Sequence, residues 1–139
     1  MNISLQLESV DTNVVAPSGA EAGRVELVEV GGAGRRLQIV MGRAEARAID
    51  DARRGRVAPR PLPWDLLCSM METLGGKLDS VVITEVEEGR LFRAEIVLQR
   101  DSETHRLPAR PSDALALAVR CGCDRLFAAA EVMDRAATS

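Results

Sequence analysis

A chain of 139 residues is the size of one domain, long enough to bury a core without help from disulfides or a structural metal. Its hydrophobic share is 46% but its aromatic share is 2%, with no tyrosine, which excludes a nucleic-acid platform built on base stacking. With 18 basic against 21 acidic residues and a formal charge of −3, it is neither a polybasic arm nor an acidic tail.

Taken in chain order, Ile3, Leu5 and Leu7 alternate with polar residues and predict a half-buried strand, followed by a turn-rich stretch from Asp11 to Gly23. Arg24 to Val30 and Arg35 to Met41 form the arms of a predicted hairpin around Gly31-Gly32-Ala33-Gly34. From Arg43 to Arg54 the alanines and Ile49 take a helical period that Gly55 ends. A proline-rich loop, Arg56 to Pro63, leads to a second helix. Its predicted apolar face is Trp64, Leu67, Cys68, Met71 and Leu74, and Gly75-Gly76 stops it. Val81 to Glu87 and Leu91 to Leu98 are strands around a Glu88-Gly89 turn, and His105 to Leu107 adds a short third. Pro111 to Cys121 is a helix apolar almost all round, and a strand at Leu126 to Ala128 and a helical turn at Glu131 to Arg135 close the chain. The pattern implies an α+β fold: a single compact domain over residues 1–139, with a mixed, largely antiparallel β-sheet packed against about three helices.

No window reaches the roughly 18 apolar residues of a membrane span, and MNISLQLESVD lacks the basic start and apolar run of a signal peptide. The expectation is a cytoplasmic protein away from membranes, its three cysteines reduced and Cys68 a buried thiol. In Cys121-Gly122-Cys123 one residue between the thiols is too few for a zinc knuckle, and Gly122 suits a helix end. The single histidine, His105, lies in a polar stretch and reads as an exposed strand residue, which leaves little room for histidine-based hydrolysis.

The remaining chemistry rests on carboxylates and arginines. All but one of the 18 basic residues are arginine, and Arg53, Arg54, Arg56 and Arg60 crowd one loop. That cluster can follow a phosphate backbone, or it can be a solvated helix end offset by Asp50 and Asp51. Arg60-Pro61-Leu62-Pro63-Trp64-Asp65 and Arg110-Pro111-Ser112-Asp113 each join an arginine, a proline and an acid at a helix start. Such a helix start can hold an anion or a hydrated cation, and Ser112 and Asp113 can equally be simple caps.

Four blocks carry a likeness: LQIVMGRAEARAI (37–49), RPLPWDLL (60–67), VVITEVEEGRLFRAEIVL (81–98) and ARPSDALALAVRCG (109–122). In order and spacing they resemble the bifunctional nuclease domain family of bacterial type, over about residues 3–133. The resemblance implies a compact α+β fold, a homo-oligomer, and nuclease activity on DNA and RNA as partners. It carries over Glu45, Arg60, Asp65, Arg110, Ser112 and Asp113. Two positions depart from the family pattern. Pro63-Trp64 stands where many relatives have Thr-His, and Pro108 stands where many have an acid.

The leading expectation is therefore a hydrolase acting on phosphodiesters. Glu45, Asp65, Asp113 and Arg110 would be catalytic, and Arg60, Ser112, Arg53, Arg54 and Arg56 would bind substrate. Asp65 and Asp113 would hold a Mg²⁺ or Mn²⁺ ion that activates water. The alternative is a non-catalytic nucleic-acid-binding or regulatory oligomeric module, in which the same acids and arginines pair to lock helix starts to loops.

Overall fold

The computed structural model describes residues 1–88 and 90–139; Gly89, expected in a turn with Glu88, lies outside the described residues. Strands β1 (Asn2–Val15), β2 (Glu21–Glu29) and β3 (Arg36–Gly42) form one antiparallel meander. Strands β4 (Lys77–Glu87), β5 (Leu91–Arg100) and β6 (Glu103–Ala109) form a second. The short β7 (Leu126–Ala129) joins them, antiparallel to β1 from Asn2↔Ala129 to Leu5↔Leu126 and parallel to β4 from Val81↔Leu126 to Ile83↔Ala128. The resulting seven-stranded sheet, in the order β3-β2-β1-β7-β4-β5-β6, is the mixed, largely antiparallel sheet that the α+β reading implies.

The stretch expected to turn from Asp11 to Gly23 is mostly strand. β1 runs on to Val15, and the turn is confined to Ala16–Ala20, where the Gly19 N–H donates to the Ala16 carbonyl. Register shifts between Leu7 and Ser9 and between Asp11 and Val14 break the alternation of β1 in sequence without ending its pairing with β2.

Among the described residues there are four helices, α1 (Arg43–Arg53), α2 (Pro63–Thr73), α3 (Pro111–Cys121) and α4 (Ala130–Ala136), of which α1, α3 and α4 pack on the sheet. The fourth exceeds the three expected because the last helical turn extends to seven residues and buries Val132 and Met133. α3 buries Ser112 and Ala114 through Ala118, and it packs on α1, β4 and β5. Its end is set by Gly122, whose φ of +72° lets the Cys123 N–H reach the Ala118 carbonyl at 2.8 Å. Ile49 of α1, Leu115 of α3, Leu27, Leu37 and Ile83 are fully buried, each contributing about 1.5–3 kcal/mol by leaving water. The seam of α1, α3 and the sheet is therefore the main hold on the fold.

Helix α2 departs from its expected packing. Trp64 and Met71 are half-buried and Cys68 is buried, but Leu67 and Leu74 of the predicted apolar face are exposed. α2 lies against α3 as its principal neighbour and not over the sheet, so only a narrow stripe is covered. That placement corrects the expectation of reduced cysteines as well. Cys68 and Cys121, 53 residues apart, form a disulfide with Cα atoms 5.9 Å apart, within the span such a bond requires, and Cys123 is the free thiol.

At the outer edge of the first meander, Arg36 and Thr138 exchange backbone hydrogen bonds of 2.7 and 2.8 Å. Among the described residues no helix is long and apolar enough to cross a membrane.

Candidate functional site

The starts of α2 and α3 meet. Arg110, the residue before α3, donates from Nε to Asp113 Oδ2 at 2.9 Å and from Nη2 to Asp113 Oδ1 at 3.1 Å. Trp64 of α2 donates its indole N–H to the same Oδ1 at 3.1 Å. Hydrogen bonding from Arg110 holds the Asp113 carboxyl below its ordinary range against the opposing effect of burial, with the Trp64 bond adding to it. The same pairing raises the Arg110 guanidinium.

Asp65 is engaged in the same manner. Its Oδ2 accepts the Leu62 N–H at 2.8 Å, closing the first turn of α2, and its Oδ1 lies 3.0 Å from Nε of Arg120. The Arg120 side chain is only 8% exposed, and its guanidinium stacks on the Trp64 ring at 5.4 Å from the centroid. Arg120, Asp65, Trp64, Asp113 and Arg110 thus form one chain of contacts across the two helices.

The predicted residues divide between two clefts on the surface. One, of about 310 Å³, is lined by Gly42, Glu45, Arg90, Phe92, Arg110 and Ser112, among others. Glu45, in the first turn of α1, is half-buried and makes no side-chain hydrogen bond or ion pair among the described residues. It folds back over Gly42, where a Cβ would displace its carboxylate. Ser112 is buried, and its hydroxyl has no protein hydrogen-bond partner among the described residues. The second cleft, of about 690 Å³, lies between the α1–α2 loop and α3 and is lined by Asp51, Arg56, Arg60, Asp65 and Arg120 together with Val57, Pro59 and Leu62. Arg60 has no acidic partner among the described residues.

The loop arginines are largely occupied. Asp50, buried at the end of α1, accepts Arg54 at 3.0 Å and Arg56 at 3.2 Å, with Arg53 at 3.9 Å, and Arg56 also reaches Asp51 at 2.8 Å. The neutralisation by Asp50 and Asp51 weighed in the sequence is the arrangement that forms.

A divalent cation needs carboxylate oxygens free to turn toward it at about 2–2.6 Å. Both oxygens of Asp113 and both of Asp65 already accept hydrogen bonds or an ion pair. Among the described residues no group of three or more His, Cys, Asp or Glu side chains is arranged to hold a metal ion. The donor set at Asp65 and Asp113 does not fit Mg²⁺ or Mn²⁺.

With this geometry in place, comparison with known families matches residues 25–139 to the bifunctional nuclease domain. The chain belongs to that family. Two relatives, uncharacterized proteins of Mycobacterium tuberculosis strains CDC 1551 / Oshkosh and ATCC 25618 / H37Rv, are each 39% identical to it over 88 residues. Those residues make up 63% of this chain, and the match spans about half, 51%, of each relative.

Within this bifunctional nuclease domain the motifs mark the Arg110–Asp113 pair and the Asp65 helix start. They miss three participants. Arg90 enters the Glu45 cleft from the β4–β5 turn; it lies within the 81–98 block, which assigns it no role. Trp64 reads in the sequence as part of an apolar helix face and as a departure from the family pattern, yet it supplies the indole bond that joins α2 to Asp113. Arg120 carries a readable signal, since a lone arginine in a helix of alanines, leucines and valines needs an acidic partner when buried. His105 lies exposed on β6 beside Glu103, Nε2 to Oε2 3.1 Å, as expected of an exposed strand residue.

Proposed function

We propose that this domain binds nucleic-acid phosphates in the cleft between Glu45 and Arg110. The observation that carries the reading is the pairing there of two exposed arginines, Arg90 and Arg110, with the unbonded hydroxyl of Ser112 at the start of α3. Arg110 keeps donors beyond the two that Asp113 accepts, and a guanidinium presents five N–H groups in a fixed fork. Arg60, which has no acidic partner among the described residues, extends the contact surface for a strand from the neighbouring cleft. Membership of the bifunctional nuclease domain family supports nucleic acid as the partner.

A second reading, hydrolysis of the bound phosphodiester, is favoured by Glu45. Of the three carboxylates expected to be catalytic, it alone is free of a protein partner among the described residues, so it can accept a proton from an attacking water. Arg110 and Arg90 would then stabilise charge developing on the phosphoryl oxygens. Asp65 and Asp113 act in this reading by positioning Arg120 and Arg110.

The test incubates purified protein with single-stranded and duplex DNA and RNA, with Mg²⁺, Mn²⁺ or a chelator, over a salt series. Salt-sensitive binding that Arg90→Ala and Arg110→Ala each weaken supports the binding reading. Cleavage lost in Glu45→Gln with binding retained supports hydrolysis. Absence of both binding and cleavage overturns the proposal. The exposed stripe of Leu66, Leu67 and Met70 on α2, with Leu74 just beyond its end, supports self-association as part of the same reading, and sedimentation of the full chain at several concentrations tests it.

A further inference from the structure

Helix α2 is fastened differently from the other helices. Of its eleven residues only Cys68 is buried, while Leu66, Leu67 and Met70 stand exposed. The covalent bond from Cys68 to Cys121 therefore lies at the one buried point of contact between this helix and the body. One turn earlier, Trp64 and Asp65 reach Asp113 and Arg120, the residue next to Cys121. The fastening and the polar chain thus share the same two helices.

The third cysteine stands close by without competing. Cys123 lies two residues beyond Cys121, half-buried, its thiol donating to the Asp79 carbonyl at 3.4 Å. Burial, with Asp124 and Asp79 nearby, pushes this thiol above its ordinary range, so it stays protonated at neutral pH and makes a poor attacking group. Cys121 is half-buried and the more accessible end of the bond, whereas Cys68 is 7% exposed.

We propose that the Cys68–Cys121 disulfide is a reversible redox fastening that sets how firmly α2, and with it Trp64 and Asp65, is held to α3. A dithiol reductant supplies the reaction. One of its thiolates attacks Cys121 Sγ, the bond to Cys68 breaks, and Cys68 leaves as a thiolate that takes up a proton. The second thiol of the reductant then displaces Cys121 from the mixed disulfide, which leaves two protein thiols and an oxidised reductant after transfer of two electrons and two protons. A small-molecule disulfide reverses the sequence. In the reduced state α2 keeps only the non-covalent contacts of Trp64, Asp65 and Met71 and opens locally while the sheet and α3 stay folded.

The test uses the full chain treated with glutathione disulfide or with dithiothreitol. Alkylation under denaturing conditions should mark one cysteine in the oxidised protein and three in the reduced one. Amide hydrogen exchange across residues 63–73 should quicken about ten-fold or more on reduction, with residues 111–118 unchanged. Trp64, the only tryptophan, should become more accessible to acrylamide quenching. The Cys68→Ser, Cys121→Ser double variant should behave as the reduced protein with or without dithiothreitol, and Cys123→Ser should respond as the unaltered chain does. Three alkylated cysteines after glutathione disulfide, equal exchange of α2 in both states, or faster exchange of the whole domain on reduction would each overturn the proposal.

Discussion

Helices α2 and α3 each carry a proline at the first helical position and an aspartate two residues later, yet α3 buries six of its residues and α2 buries Cys68 alone. The shared start determines where each helix begins and gives each an acid near the positive end of its dipole. Burial is decided by the residues after that first turn. α3 continues with Ala114, Ala116 and Ala118, small enough to let it pass closely between α1 and the sheet. α2 continues with Leu66, Leu67, Ser69 and Met70, and it is held by Trp64 and Asp65 at its start and by Cys68 at its middle. A similar motif thus opens a core helix in one place and a surface helix in the other.

The comparison is broken most readily in the core. Leu115→Ala should cost about 2–5 kcal/mol in chemical denaturation, whereas Met70→Ala on α2 should stay within about 0.5 kcal/mol. Equal losses would show that α2 is as embedded as α3. Asp65→Asn should have an intermediate effect of about 1–3 kcal/mol, because Arg120, its side chain 8% exposed, would lose its charged partner. The loss should shrink in an Asp65→Asn, Arg120→Met double variant.

The smallest effect concerns acid. Asp113 titrates below its ordinary value of 3.8 in the folded chain, so its contribution to stability is present in full above that value and is lost as pH falls through the lowered one. Melting temperature should therefore decline on acidification below about pH 4, and Asp113→Asn should flatten part of that decline. An unchanged acid limb would mean that Arg110 does not hold Asp113 in solution.

Local signals in the sequence are dependable where one residue controls the backbone. Gly55 and Gly122 mark the ends of α1 and α3, and the Arg110–Asp113 spacing of three residues foretells their pairing on adjoining positions. The length of β1 is hidden because its irregular register places side chains out of strict alternation, which a periodicity argument reads as the end of a strand. The bond from Cys68 to Cys121 and the contact from Trp64 to Asp113 span 53 and 49 residues. They depend on α2 lying beside α3, and no pattern within either helix specifies that neighbour. For the same reason the motifs suggest one convergent carboxylate site, whereas Glu45 stands in a separate cleft from Asp65.

The pairing of Arg36 with Thr138 bears on how copies of this chain can meet. It occupies backbone donors and acceptors at the β3 end of the sheet that an incoming strand would need there. At the β6 end, Pro108 offers no N–H, and Glu103, His105 and Arg106 stand exposed along the strand. Strand addition is thus hindered at the first residue of β3 and along β6 by different means.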